Sequence, residues 1–266
     1  MSRSPYRVRN AFTLAVALLC GCQAGEPSPR QEARDQKPAI QPDRDQKPAT
    51  IVVRSVLPPD LKEKSVGVLR YGLTQADLNR LGCVEELTDH VPLRMWPQEM
   101  QHLEKKVNVR LVATTEGYGR FNRLEMAAGR FLEDERDSKN LDNVIVLSAG
   151  VANELFPDKD PVGKTVVLNK FTYKVVGTIK ERQPQKTASH VEEYDRDVYI
   201  PLATSRVRFG KTILIREGEK RTAEEVELHQ ILIKVADPAR LEPVEEVIRQ
   251  LLRKHHARQD WEVTVR

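Results

Sequence analysis

The sequence predicts an α+β fold with helices packed on one face of a mixed β-sheet, and three observations carry that expectation. β-branched runs of strand length recur from Ile51 onward, only a few segments keep a helical spacing, and the last third alternates strand, helix and strand. Ile51 to Leu57 and Val66 to Tyr71 are strand-like, separated by the turn residues Pro58, Pro59 and Asp60. Thr74 suits the N-cap of a helix from Gln75 to Leu81, whose Leu78 and Leu81 share one stripe and which Gly82 ends. Val84 to Met95 and Lys106 to Thr115 read as extended, the second alternating through Val107, Val109, Leu111 and Ala113. The opening is therefore βαββ.

Asp142-Asn143 leads into Val144 to Leu147, an unbroken apolar run that predicts a buried strand. Ser148 suits the cap of a helix through Val151, Ala152, Leu155 and Phe156, which Pro157 stops. Val166 to Leu168 and Phe171 to Thr178 flank Asn169-Lys170 and predict a hairpin. A polar loop follows from Lys180 to Asp195, then a strand from Asp197 to Ile200 with Pro201 at its end. Val226 to Val235 alternates as a strand, and a helix starts at Asp237-Pro238 or Glu242-Pro243. Val244, Val247, Ile248, Leu251 and Leu252 keep helical spacing, and Trp261 to Val265 alternates again. Glutamates early in that helix and Arg249, Arg253, Lys254, His255 and His256 late in it complement the helix dipole, as a solvated face and a surface cap.

Upstream of this fold the chain has a different character. Arg3, Arg7 and Arg9 precede an apolar stretch from Ala11 to Leu19. That stretch is about ten residues, shorter than the ~20 a spanning helix needs, and reads as a secretory signal. Its closing tetrad, Leu19-Cys20-Gly21-Cys22, resembles a bacterial lipobox, which implies that residues 1–21 are removed and Cys22 is lipidated and tied to a membrane. Residues 22–50 then read as a disordered tether: proline-rich, nearly free of large apolar side chains, with Arg-Asp-Gln-Lys-Pro-Ala repeated at Arg34 and Arg44. As a flexible coil it would span roughly 30 Å, and in extended polyproline form about 90 Å. Removing the three basic residues of the signal from 43 Lys+Arg leaves 40 against 39 Asp+Glu, a balance that gives no support to nucleic-acid binding. With Cys20 removed and Cys22 acylated, Cys83 is left as a lone thiol, expected to be a packed small side chain.

Chemistry-bearing motifs are scarce. Asp160-Pro161-Val162-Gly163-Lys164-Thr165 ends like a phosphate-binding loop, but the position where the signature needs its first glycine is Asp158, so the segment reads as a turn before a strand. His90, His102, His190, His229, His255 and His256 show no metal-ligand spacing, and no nucleophile elbow or His-Glu-x-x-His occurs. Glu133, Asp134 and Glu135 lie among Arg130 and Arg136 and read as exposed ion pairs. Neither a catalytic residue nor a cofactor is expected.

The segment Leu124-Glu125-Met126-Ala127-Ala128-Gly129-Arg130-Phe131-Leu132 resembles the periplasmic core domain of MacB-type ABC transporter permeases, a module related to the extracytoplasmic part of FtsX-like permeases. Matching segments keep the family's order: Leu73-Thr74-Gln75-Ala76-Asp77-Leu78, Val144-Ile145-Val146-Leu147 with the helix through Val151, Ala152, Leu155 and Phe156, Asp160 to Lys164, Tyr173 to Gly177, and Asp197 to Leu202. The resemblance implies a porter-like βαβ sandwich from residues 51–115 and 195–266, with a strand-rich lobe inserted over 116–194. It also implies structural roles: Gly129 for a backbone turn, Arg130 for pairing with an acid, Phe131 as a core anchor, Pro161 and Gly163 for turn geometry, Gly177 as strand punctuation, and Pro201 at a strand end. Family permeases set the module between a first membrane helix and three later ones and draw energy from a cytoplasmic ATPase. Here a lipid signal stands in the place of the first helix and the chain stops at Arg266. The expectation is a non-enzymatic envelope lipoprotein, facing the periplasm or exterior, that contacts a MacB/FtsX-type permease, its periplasmic adaptor or another envelope protein. The inserted lobe is the face expected to carry recognition. The alternative is an envelope enzyme or small-ligand carrier built on the same scaffold.

Overall fold

The computed structural model describes residues 50–62, 67–157, 159–183, 185–186, 191–192, 194–217 and 220–266. The expected signal peptide, Cys22 and the tether up to residue 49 lie outside them. The elements run β1 (Thr50–Ser55), α1 (Pro59–Lys62), β2 (Val68–Arg70), α2 (Gln75–Leu81), β3 (Leu87–His102), β4 (Lys105–Thr114), α3 (Gly117–Phe121) and β5 (Met126–Gly129). After a π-helical turn at Asp134–Ser138 come β6 (Val144–Leu147), α4 (Ala149–Leu155), β7 (Thr165–Leu168), β8 (Phe171–Ile179), β9 (Gln185–Lys186), β10 (Val191–Glu192) and β11 (Asp197–Pro201). The chain closes with α5 (Leu202–Phe209), β12 (Thr212–Glu217), β13 (Lys220–Glu225), β14 (Gln230–Val235), α6 (Leu241–His255) and β15 (Trp261–Val265).

A mixed sheet follows the order β15-β1-β14-β3-β4-β11-β6-β8-β5. β4 with β11 and β6 with β8 are its parallel pairs, and the other neighbours are antiparallel. β7 pairs with both β3 and β8, so the strands β3-β4-β11-β6-β8-β7 close on themselves as a barrel. β3 makes this possible because it is 16 residues long: Leu87 to Leu93 pair with β14 in the open sheet, and Arg94 to His102 pair with β4 in the barrel. A separate three-stranded sheet has the order β12-β13-β2.

Strand alternation divides the core between two faces. Ile51 and Val53, Leu111 and Ala113, Ile145 and Leu147, and Ile231 and Ile233 enter one cluster; Val52, Val112, Val146 and Leu232, the residues between them, enter the other. The first cluster receives α2 through Leu78 and Leu81, α4 through Val151 and Leu155, and α6 through Val244, Ile248 and Leu252. α3 packs on the second face through Tyr118. The helices are thus not confined to one face, and the reason is local: the α3 segment, with two glycines and Arg120, carries no helical stripe that a sequence pattern would detect.

Several elements begin as their residues dictate. Thr74 and Asp77 form a capping box at α2, each side chain accepting from the other's backbone N–H. Ser148 precedes α4 but does not cap it; its hydroxyl donates instead to Asp195 O at 2.6 Å. Asn169 takes φ 57° in the β7–β8 turn, as the hairpin geometry requires. The strand expected from Val226 starts at Gln230, and the expected loop from Lys180 contains β9 and β10. Arg266 N–H donates to Thr50 C=O at 2.8 Å, which places Arg266 beside the start of β1.

Candidate functional site

The Ala-Gly-Arg-Phe segment folds as the end of β5 and the turn after it. Gly129 and Gly177 are register partners in β5 and β8. A Cβ on Gly129 would stand 2.2 Å from Val176 O, and one on Gly177 would stand 2.1 Å from Arg130 O. Gly129 also has φ 68°. Two glycines facing each other let the strands approach closer than any side chain permits. Gly177 therefore sits inside β8 as a point of close approach and does not end a strand.

That approach sets Arg130 over the π-helical turn. Its guanidinium makes a fork with Asp137, Nη1 to Oδ2 and Nη2 to Oδ1 both at 2.7 Å, while Nη1 also reaches Phe131 O. Asp137, 1% exposed at its side chain, further accepts Glu133 N–H. Burial pushes the Asp137 carboxyl up, but the bonds from Arg130 and Glu133 outweigh it and hold the carboxyl below its ordinary range. The acid that pairs with Arg130 is thus Asp137, which the reading of Glu133, Asp134 and Glu135 as exposed pairs passed over. Glu133 is a looser contact at 3.6 Å.

Gly129, Arg130 and Gly163 line one open cavity of about 670 Å³ with Asp137, Asp142 and Lys174. Pro161 and Gly163 shape its rim: Lys164 N–H bonds Pro161 O, Gly163 N–H bonds Val175 O, and Gly163 takes φ 85°. Phe131 turns away from this cavity and is half-buried between Tyr118 and Tyr199; its neighbour Leu132 is the buried residue. Phe131 and Leu132 thus both pack on the second core cluster, Leu132 the more deeply. Pro201 ends β11, pairs with Thr114 and stands at the N-cap of α5. Cys22 lies outside the described residues.

A second polar assembly draws Asp197 and Tyr199 from the family-like segment Asp197 to Leu202, though nothing in the sequence pairs them with Arg110 or Arg182. Arg110 on β4 forks onto Asp197 on β11, Nε to Oδ1 at 2.6 Å and Nη2 to Oδ2 at 2.9 Å. Tyr199 OH donates to Asp197 at 3.1 Å, Arg182 Nη1 donates to Tyr199 OH at 3.3 Å, and the Arg182 guanidinium lies 3.7 Å from the Tyr194 ring centre. Burial works against the charge on Arg110, but Asp197 outweighs it and the guanidinium is held more firmly protonated than usual. Burial raises the Tyr118 and Tyr199 hydroxyls, so both stay neutral. Arg110, Asp197, Tyr118, Tyr194 and His229 line a cavity of about 260 Å³. The available signal was Asp197, a lone carboxylate opening an apolar strand.

Two other expectations change. His256 is no surface cap: its ring is 7% exposed and lies between Asp260 (Nδ1, 2.7 Å) and Asp77 (Nε2, 3.2 Å), tying the end of α6 to the start of α2. Cys83 is exposed because it follows the C-cap of α2, outside the core. Among the described residues, no group of three His, Cys, Asp or Glu side chains is placed to hold a metal, and no helix is long and apolar enough to cross a membrane. In each Arg–Asp fork the two charges serve each other, with backbone groups added around Arg130 and Asp137 and the Tyr199 hydroxyl around Asp197, which makes both forks fasteners of the fold.

With that geometry in place, the sequence profile of the MacB-like periplasmic core domain matches residues 37–251. The chain belongs to that family. The MacB-like domain is 27% identical over 192 residues to the macrolide export ATP-binding/permease protein MacB of Nitrobacter winogradskyi, covering 71% of this chain and 27% of that protein. It is 24% identical over 159 residues to the MacB of Bdellovibrio bacteriovorus, covering 59% of this chain and 22% of that protein. The chain thus spans about a quarter of the length of these relatives. Among solved structures, the periplasmic region of MacB from Actinobacillus actinomycetemcomitans superposes with TM-score 0.61 at 19% identity, over 81% of this chain and 87% of that one. The extracellular domain of the noncanonic ABC-type transporter YknZ from Gram-positive bacteria does so with TM-score 0.59 at 17% identity, over 81% and 99%. The α+β fold and the mixed sheet of the MacB-like domain are those of these neighbours.

Proposed function

We propose that this chain is a non-enzymatic envelope lipoprotein, anchored through Cys22, whose MacB-like domain serves as a partner-binding component of an ABC-type export complex. The observation that carries the reading is the family match over 37–251, which begins within the proline-rich segment that follows a lipobox-like tetrad. Its partners are a MacB/FtsX-type permease or that permease's periplasmic adaptor.

Two measurements test this. Mass spectrometry of the mature protein should find an acylated Cys22 at the N-terminus, and an unmodified thiol there removes the anchor. Crosslinking in cells should enrich a permease, ATPase or adaptor with the full chain over a tether-only control; equal recovery of abundant bystanders by both removes the docking role.

A further inference from the structure

Strand β3 pairs along one edge with β14 as far as Leu93 and with β7 from Met100, which leaves Arg94 to Glu99 without a strand partner on that edge among the described residues. Bonds on either side fix how the backbone points in this gap. Leu93 C=O accepts from His229 N–H at 2.8 Å and Met95 N–H donates to His229 Nδ1 at 3.1 Å, so the odd-numbered residues of β3 face the β14 side. Arg110, register partner of Pro97, sends its own N–H the other way, to Arg196 O, which makes Pro97 and Arg110 a non-hydrogen-bonded pair. By alternation, Pro97 C=O and Glu99 N–H open onto the gap. A proline is tolerated in this long strand because the donor it lacks would have faced no partner.

The gap forms one wall of a groove of about 810 Å³. Half-buried Phe209 makes an aromatic floor, its ring in edge contact at 5.1 Å with Trp96, which is 3% exposed beneath it. The opposite wall is the start of β12, an edge strand that pairs only with β13 among the described residues. Leu214 on β12 is 72% exposed and continues across the three-stranded sheet through its register neighbours Ala223 and Val68, the latter 45% exposed. The charged side chains along the groove are already engaged: Glu99 bonds Lys106 at 2.9 Å, and Arg208 bonds Asn143 at 2.8 Å and lies over Phe171. Open strand-edge groups call for an extended backbone, and an aromatic floor with its charges satisfied calls for uncharged side chains.

We propose that this groove takes an extended, uncharged stretch of a partner polypeptide, added as a strand along the open edge of β3 with its apolar side chains over Phe209 and against Leu214. The inference rests on the partner-binding reading and assigns that reading a surface, one outside most of the 116–194 lobe.

The test uses the full chain in cells with a photoreactive benzoylphenylalanine at position 98 or 214, and at Val247 and Leu103 as surface controls. The expected result is that positions 98 and 214 both join to one short contiguous stretch of a single partner, mapped by peptide mass spectrometry, and that Leu214→Asp abolishes the adduct from position 98 without changing the melting temperature. Adducts that map to a second copy of this chain, to lipid, or to scattered surfaces of a folded partner overturn the inference. So does silence at 98 and 214 while the control positions still capture export components, an outcome that leaves the partner-binding reading standing. Silence at all four positions, matching the tether-only control, removes both.

Discussion

The molecule holds two forked arginine–aspartate pairs with nearly the same geometry and opposite histories. Arg130 and Asp137 are seven residues apart, and a single turn after β5 brings them together. Arg110 and Asp197 are 87 residues apart and meet only because β4 and β11 lie parallel in the barrel. The two aspartates are equally buried, each 1% exposed, and both arginines reach solvent. What separates the pairs is their surroundings: Asp137 is otherwise held by Glu133 N–H, whereas the partners of Asp197 extend through Tyr199 to Arg182. The local pair secures a turn, whereas the distant pair secures a barrel seam, and removing either should cost accordingly.

The largest effect is expected at the seam. Asp197→Ala takes the fork from Arg110 and the acceptor from Tyr199 OH and should cost about 3 kcal/mol in urea unfolding. A loss no greater than that of Asp137→Ala would dissolve the contrast. Next come the glycines behind the local pair. Gly129→Ala forces a Cβ against Val176 O at positive φ and should cost about 2–3 kcal/mol. Because Gly177→Ala would part the same two strands, the double variant should lose less than the sum of the singles.

Asp137→Asn should cost about 2 kcal/mol at neutral pH, and its pH dependence has a definite sign. The folded carboxyl titrates below its unfolded value, so its stabilisation is complete above about pH 4 and is lost as pH falls through the folded value. Urea midpoints of the parent and the variant should therefore converge in acid; a gap that persists unchanged to about pH 2 would remove the ion pair as its source. The smallest effects belong to Arg→Lys changes, which keep the charge and lose the fork, at about 1 kcal/mol each. Arg110→Lys should exceed Arg130→Lys, and the reverse order would place the tighter fork in the turn.

Legibility in the sequence follows the same division. α2 lies where Thr74, Leu78, Leu81 and Gly82 place it, because a cap, a stripe and a stop act within one short helix. β6 and the β7–β8 hairpin are equally local. The β12–β13 hairpin and α5 left no comparable trace: their turn and stripe are weak, and what orders them is the rest of the molecule. The family resemblance points to Phe131, which packs half-buried against the core, while its neighbour Leu132 is the fully buried one, since the turn after Gly129 decides which side chain points inward. His256 looked solvated at the end of a basic helix, and only the return of the chain to α2 gives it two carboxylates.

By itself the sequence determined the α+β class, most strand and helix positions, the family resemblance and the glycine–arginine turn, all of which depend on periodicity, capping and backbone permission within a few residues. Tertiary structure alone decided that one 16-residue strand serves both an open sheet and a closed barrel, that Arg110 meets Asp197, and that a gap in β3 opens beside β12. Those outcomes depend on contacts between segments far apart in the chain, where burial and hydrogen-bond pairing select one register out of many that the local pattern permits.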